Sequence, residues 1–441
     1  MLAGGLLALG GLGACQFGTR PSAAESATAP GSHAAHLPGP PPGQVPHAPA
    51  VLAQSAVDGG AADGATAAPG STPIGAAAPM YRGDAQHTGR SPFTLPDAPP
   101  QERWRFPTGG NITAAPAVAS DGTIVVGSHD GFVYAVSPQG TPRWRHRTAD
   151  MIWATPALAA DGTIYIGSDD DHLYALSAED GAQKWALGAG ACKRRGGRSP
   201  EGARCDIDQV TLAADGTIYI GGDGIYAVRS DGTVRWHFDP NPPTAGAPGA
   251  VAKRVHCGSA PSVGRGGMVY AICQEMVYAL GPDGIKRWEF AAQGELEAAP
   301  AIGEGGIVYL GSDDRRLYAL DVLGQPRFAF TAGAPIRTAV ALGPGGAIYF
   351  GCDDESLYSL RADGTLLWTF HTAGAVRSSP VVDAAGSVVF GSRDDRLYAV
   401  AADGKQKWSV VLDGDVDGTP ALGADGTIYV GADDQALHAL R

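Results

Sequence analysis

Residues 377–408 read RSSPVVDAAGSVVFGSRDDRLYAVAADGKQKW. In order they supply a proline, a short apolar run, a glycine turn, an alternating strand ending in Gly-Ser, an acidic turn, Leu-Tyr-Ala-Val, a second glycine turn and a strand centred on Trp408. That is four short strands separated by residues that make turns. The same order recurs around Pro116, Pro156, Pro261, Pro300 and Pro420, around Val340 with valine at the proline position, and divergently around Val210. The residues equivalent to Trp408 are Trp104, Trp144, Trp185, Trp236, Trp288, Phe328 and Trp368, in steps of 40, 41, 51, 52, 40, 40 and 40 residues. Four strands repeating about every 40 residues make a propeller blade, a unit that buries both faces only against its neighbours.

The two chain ends carry complementary defects. Gln101–Phe106 is a lone Trp strand with no three strands before it. After Gly418 the chain supplies TPAL, TIYV and LHAL and reaches Arg441 without a Trp strand. The orphan strand is therefore expected beside Leu437–Leu440, completing the last sheet and leaving no unpaired edge in the ring. The expected fold is all-β: a closed eight-bladed propeller of four-stranded antiparallel blades over residues 80–441. Asp-Gly at 121–122, 161–162, 215–216 and 425–426 precedes Thr-Ile and reads as a hairpin turn. The pairs Asp169-Asp170, Asp313-Asp314, Asp353-Asp354, Asp394-Asp395 and Asp433-Asp434 open the next turn, where an aspartate caps its own backbone. Calcium binding is the competing reading of that acidic density.

The chain has 441 residues, 64 of them glycine and 33 proline, and a net charge of -13. Most glycines fall at fixed offsets between strands, so they mark turns rather than disorder. The acidic balance leaves no nucleic-acid footprint and argues against broad adsorption to anionic lipid. Residues 1–15, MLAGGLLALGGLGAC, are too short an apolar run to span a bilayer. Leu12-Gly13-Ala14-Cys15 resembles the lipobox of bacterial lipoproteins, although no Lys or Arg precedes the run. The resemblance implies acylation at Cys15 and a membrane anchor. Residues 16–79, rich in Ala, Pro, Gly, Ser and Thr, read as a flexible tether. Met80–Arg90, MYRGDAQHTGR, reads as a packed lead-in, with Arg82-Gly83-Asp84 a weak match to an adhesion tripeptide.

Two insertions, Gly188–Gln209 and Asp239–His256, break the rhythm and flank the third blade on one face. Long loops on a rigid scaffold are where binding concentrates. The first holds Arg194, Arg195 and Arg198, a basic patch in an acidic chain. Bridges are expected in an exported protein. Cys192–Cys205 would close the first insertion and Cys257–Cys273 would tie the fourth blade's inner strand to its second. Cys205–Cys257 is the competing connectivity, and Cys352 is left as a buried thiol.

Aligned repeats also give rings around the axis. Three residues before the proline position stand Thr113, Trp153, Ile207, Gly258, Glu297, Arg337, Arg377 and Asp417, with Glu295 and Asp415 two residues earlier on the same strand face. The intervening positions are mostly apolar, so the polar parity is expected to face the axis. Glu295, Glu297, Arg337, Arg377, Asp415 and Asp417 then form a charged arc over blades five to eight, opposite Trp153. Two readings stand: an ion-pair network that closes the ring, and a ligand site.

LSAEDGAQKW (176–185) and AVAADGKQKW (399–408), each following a Leu-Tyr-Ala-type strand, closely resemble the pyrroloquinoline-quinone repeat family of β-propellers. The resemblance covers residues 80–441. It implies either a quinoprotein dehydrogenase holding quinone and calcium near the axis, or a non-catalytic outer-membrane lipoprotein of the barrel-assembly scaffold type. No Cys-Cys pair of the kind such dehydrogenases place over the quinone occurs here. The expectation is a monomeric, non-catalytic envelope scaffold without cofactor or metal, bound by its anchor to a membrane and by the propeller face to another envelope protein or an anionic polymer. The alternatives are the dehydrogenase and a small-ligand or sugar-binding sensor.

Overall fold

The computed structural model describes residues 78–189, 207, 209–240 and 255–441. Cys15, Cys192, Cys205, Arg194, Arg195 and Arg198 lie outside the described residues. Thirty-two strands form eight four-stranded antiparallel sheets. Blades 1 to 7 occupy residues 117–147, 157–188, 210–238, 262–291, 301–331, 341–371 and 381–411. Blade 8 takes three strands from 421–440 and its fourth from Glu102–Pro107. First strands of neighbouring blades touch one another, as blade 1 touches blade 8 and blade 4 touches blade 5, so they surround the axis.

Burial follows from this stacking. The second strand of blade 2, Thr163–Ser168, is buried throughout because a neighbouring blade covers each face. Its outermost strand, Gln183–Gly188, alternates between exposed and partly buried. Trp144 on the outer strand of blade 1 lies over Gly181 of blade 2 and donates its indole N–H to Ala178 O at 2.9 Å. A Cβ at Gly181 would meet the indole at 2.5 Å, and its φ of +72° is one that side chains avoid. The same hand-over runs from Trp185 to Ser230, Trp236 to Pro282, Trp288 to Val322 and Trp368 to Ala402.

The seam is built as the chain ends require. Phe106 pairs with Leu437 and Trp104 with Ala439. Gln101 and Arg441 exchange backbone hydrogen bonds of 2.9 and 2.8 Å. In blades 1 to 7 a tyrosine occupies the centre of the third strand, whereas blade 8 has His438. Its ring nitrogens stand 2.6 Å from Glu102 and 3.0 Å from Asp434, so the side chain joins the first strand of the fold to the last. Because the blade 8 outer hairpin is split, Trp408 has no turn to rest on. Pro96 of the lead-in replaces it, accepting the indole N–H at 2.8 Å, and Trp408 is only 2% exposed.

The acidic turns are structural brackets. The Asp130 carboxylate accepts from Phe132 N (3.0 Å), from Tyr134 Oη (2.7 Å) and from Gly109 N (2.7 Å), which belongs to the loop entering the blade. Asp170, Asp314, Asp354 and Asp394 each accept from a tyrosine four residues on and from an entry-loop amide 21 residues back. Burial, reinforced by Asp130, pushes the Tyr134 hydroxyl up to about 12. Asp130→Ala removes three bonds to a charged acceptor and is expected to cost about 2–4 kcal/mol, read as a lower urea midpoint with unchanged slope.

The lead-in plugs the channel from the face of the first-to-second strand turns. Ala78 pairs with Val118 of blade 1, and backbone bonds from residues 79–89 reach Leu158, Val263, Ile302, Leu342 and Val382. Arg82 is 4% exposed and donates to the carbonyls of Val340 and Pro380, so Arg82-Gly83-Asp84 is packing, not an adhesion motif. Tyr81 fills the waist of the channel among Ala115, Ala260, Ala298, Ala299 and Ala339. No helix among the described residues is long and apolar enough to cross a membrane.

Cys257 and Cys273 are bridged, with Cα atoms 4.0 Å apart, which excludes the Cys205–Cys257 connectivity. Cys352 is a buried free thiol, pushed up to about 12 by burial, and it donates to Ala334 O.

Candidate functional site

With one end plugged by the lead-in, the other end of the axis lies at the face where entry loops meet the second-to-third strand turns. The apolar ring inferred from sequence is buried: Ile112, Ile152, Cys257, Leu296, Ile336, Val376 and Val416 are each 4% exposed or less. These side chains wedge against the neighbouring blade, and a Cβ at Gly127 would stand 2.3 Å from Ile152. With that parity buried, the alternate positions face the opening. Trp153, Glu295, Glu297, Arg337, Arg377, Asp415 and Asp417 accordingly stand around the mouth.

A second ring, from the turn after each second strand, completes the site: His129, Asp313, Asp353, Arg393 and Asp433. From sequence, the aspartates of these turns are expected to cap their own backbone. In blades 2, 5, 6 and 8 the second aspartate of the pair holds the turn, and in blades 5 and 6 the first meets an arginine on the entry loop of the next blade. In blade 7 Asp394 is the cap and Arg393 holds the ring position, so Asp394-Asp395 is not equivalent to the other pairs.

The arc expected over blades five to eight is resolved into two groups. Arg337 grips Asp313 through two bonds of 2.8 and 2.9 Å, reaches Asp353 at 3.0 Å and lies 3.3 Å from Glu297. Arg377 holds the other side of Asp353 through two bonds of 2.9 Å. Across blades 7 and 8, Arg393 grips Asp417 and stands 3.9 Å from Asp415. Here Asp415 and Asp417 share one guanidinium, whose charge also acts on Asp433. Burial and Asp417 push the Asp415 carboxyl up, and burial with Asp417 and Asp415 does the same to Asp433. One oxygen of Asp433 is buried without a hydrogen-bond partner.

Next along the rim is an aromatic platform. His129 and Trp153 have ring centroids 3.9 Å apart, and His129 is fixed by Thr113 Oγ1 at 3.0 Å. Burial lowers the basicity of His129, so the ring is neutral at neutral pH. Trp153 and Met151 are each 43% exposed. Glu295, Glu297 and Asp313 bring ligand oxygens within 4.8 Å of one another, which is close enough to hold a cation in principle. Burial pushes the Glu297 carboxyl up, with Asp313 and Glu295 adding to the rise and Arg337 opposing it.

A family profile described as outer membrane protein assembly factor BamB matches residues 97–272, 273–380 and 353–441. Among solved structures, the chain is similar to BamB from Moraxella catarrhalis, with a TM-score of 0.61 and 15% identity over 78% of this chain and 98% of that one. It is also similar to a europium-containing methanol dehydrogenase, with a TM-score of 0.65 and 16% identity over 81% of this chain and 90% of that one. The quinohemoprotein alcohol dehydrogenase of Comamonas testosteroni gives 0.67 and 14% identity over 83% and 80%. By sequence, no curated protein matches. At these identities the structural likenesses speak for the fold alone, a repeat propeller that carries scaffolds and dehydrogenases alike.

Proposed function

The chain belongs to the outer membrane protein assembly factor BamB family of repeat propellers, and from that premise we propose that it is an exported, envelope-associated recognition propeller whose working surface is the axial mouth. Family membership supports the envelope location. One observation carries the choice of surface: at the face opposite the plug, among the described residues, Trp153 and Met151 are exposed beside charges that mostly satisfy one another. Exposed apolar side chains within a polar rim are the composition of a recognition patch. The partner is another envelope protein or an anionic polymer, with the Arg194, Arg195 and Arg198 loop as its electrostatic guide. A photocrosslinking residue at position 153 is expected to capture one defined partner from native envelopes, while the same residue at position 403 captures none. Equal capture at both positions would defeat the proposal. Replacing Arg194, Arg195 and Arg198 together with serine is expected to reduce capture and its salt sensitivity while leaving thermal stability nearly unchanged, the outcome for charges that serve a partner rather than the fold, at about 0–1 kcal/mol each.

A second reading, a quinoprotein-dehydrogenase-like protein, has its own support: the Glu295, Glu297 and Asp313 cluster, and two dehydrogenases among the similar structures. These favour it more directly than any feature of the mouth favours a pure scaffold. The fit, however, fails at one residue. Arg337 already holds Asp313 and lies against Glu297, so the positive charge a calcium ion would bring is present on the protein. Tyr81 and its alanine collar also close the channel beneath the ring. No catalytic step is therefore derived through the quinone or the metal. Titration with calcium and pyrroloquinoline quinone is expected to give no stoichiometric spectral change and no dye reduction with alcohols or sugars. Saturable binding that disappears in Glu297→Gln would instead establish this second reading.

A further inference from the structure

The plugged face carries an asymmetry that the mouth does not explain. Among the described residues nine large hydrophobic side chains are exposed, and six of them sit on the third-to-fourth strand hairpins or the strand starts that follow: Val234, Ile285, Val322, Leu323, Leu366 and Leu367. They belong to blades 3, 4, 5 and 6, which are consecutive around the ring. Leu323 is 69% exposed and Ile285 58%. The equivalent turns of blades 2 and 7, Glu179-Asp180 and Asp403 to Gln406, are polar, so the repeat does not require apolar residues there.

These hairpins lie on the same side of the disc as the turns that receive the lead-in. Ala78 pairs with Val118 on that side, so the 77 residues preceding Ala78 join the propeller there. Arg229, Arg287, Arg327 and Arg361 each stand within six residues of the hairpin aspartate of their blade, and Arg287 pairs with Asp283 at 2.8 Å, in a chain of net charge -13. One or two exposed aliphatic side chains per blade, repeated over four consecutive blades, make a row of separate apolar projections along the rim. It suits a planar surface that deforms around each side chain, as the interfacial region of a bilayer does.

We infer that the rim of blades 3 to 6 on the plugged face is a lipid-bilayer contact, laying the disc tilted on the membrane with the mouth turned away. The inference rests on the envelope location proposed above but uses a different surface. An acyl chain alone anchors weakly, and an apolar contact supplies the second element that stable attachment requires.

The test uses the full chain as Cys15→Ser, so that no acyl group contributes, with zwitterionic vesicles of phosphatidylethanolamine and phosphatidylcholine, which do not repel the acidic chain. The protein is expected to sediment with the vesicles, and the bound fraction should fall at least about fivefold when Ile285, Val322, Leu323 and Leu366 are all changed to serine. Hydrogen exchange should slow in hairpins 283–287, 321–326 and 363–367 on adding vesicles, with 403–406 unaffected. These side chains are exposed, so an unchanged thermal transition is expected and separates lost contact from lost fold. Cys15→Ser protein remaining in the supernatant overturns the inference. So does equal sedimentation of the quadruple variant, or the same protection in concentrated protein without lipid, which would make the rim a contact between copies. Either failure leaves position 153 free to capture its partner, so the two proposals stand or fall separately.

Discussion

A chain lacking Gln101–Phe106 is expected not to reach the native ring. The deletion strips the outer strand from blade 8, leaving Ala436–Leu440 as an open edge with its ladder groups unpaired. It also removes Phe106, which packs with Ile112, Tyr134 and Leu437, and Trp104, which covers Gly140 of blade 1. Losing two such aromatic contacts costs roughly 5 kcal/mol or more before any hydrogen bond is counted, against a total stability on the order of 5–15 kcal/mol. Size-exclusion chromatography and near-ultraviolet circular dichroism should show aggregated protein without fixed aromatic packing. A peptide spanning residues 98–108, added during refolding, should restore part of the native signal by occupying the vacant edge. A deletion chain that unfolds cooperatively within about 1 kcal/mol of the full chain would show that the seam strand does not close the ring.

Acidification should weaken the plug, and His87 is the reason. The ring is fully buried, and burial together with Arg82 lowers it to about 3. Its hydrogen bonds are all satisfied in the neutral form. Ser262 Oγ donates to Pro300 O, so Nδ1–H must donate to Ser262, while Nε2 accepts from Thr211 Oγ1. An unfolded chain protonates this histidine near 6.5, so between about 6.5 and 3 the unfolded state binds the extra proton and stability falls with falling pH. The loss across that window is roughly 3–4 kcal/mol from this one group. Asp84 acts in the opposite sense: burial pushes its carboxyl up, which favours the folded state as acid is added. Urea unfolding at pH 7 and pH 4 of the wild type and of His87→Gln separates the two. The variant should be less stable at pH 7 yet lose clearly less on acidification. Parallel losses in both proteins would remove His87 from the account.

Blade number and closure were legible because both are properties of the repeat. A period near 40 and two matching deficits at the chain ends leave one arrangement, and Phe106 opposite Leu437 is its direct expression. The mouth was legible in part. Alternation placed Arg337, Arg377 and Asp417 toward the axis, but their partners were hidden in the acidic turns. Asp313 and Asp314 are adjacent and chemically identical; one points into the mouth and the other brackets a tyrosine. No pattern in a single turn separates them. Blade 7 held the clue: Arg393 stands where an aspartate is usual, and only a position facing another charged ring tolerates that exchange. Met80–Arg90 was recognised as packed, but a plug cannot be read from eleven residues, because its surroundings come from blades 1 to 7. The Trp153–His129 pair was half visible, since Trp153 stood out on its ring while His129 belongs to a turn one blade away.

The plug also fixes when folding can finish. Residues 82–101 dock on strands that leave the ribosome last: Arg82 bonds Pro380, Gly89 bonds Val382, and Gln101 bonds Arg441. Early blades can form as they emerge, but the axis stays unfilled and the seam open until the C-terminus is available. A chain that must wait for its own end is poorly protected on the ribosome and correspondingly easy to keep unfolded. A chain whose two ends must meet before the ring closes therefore stays closer to its unfolded state until synthesis is complete.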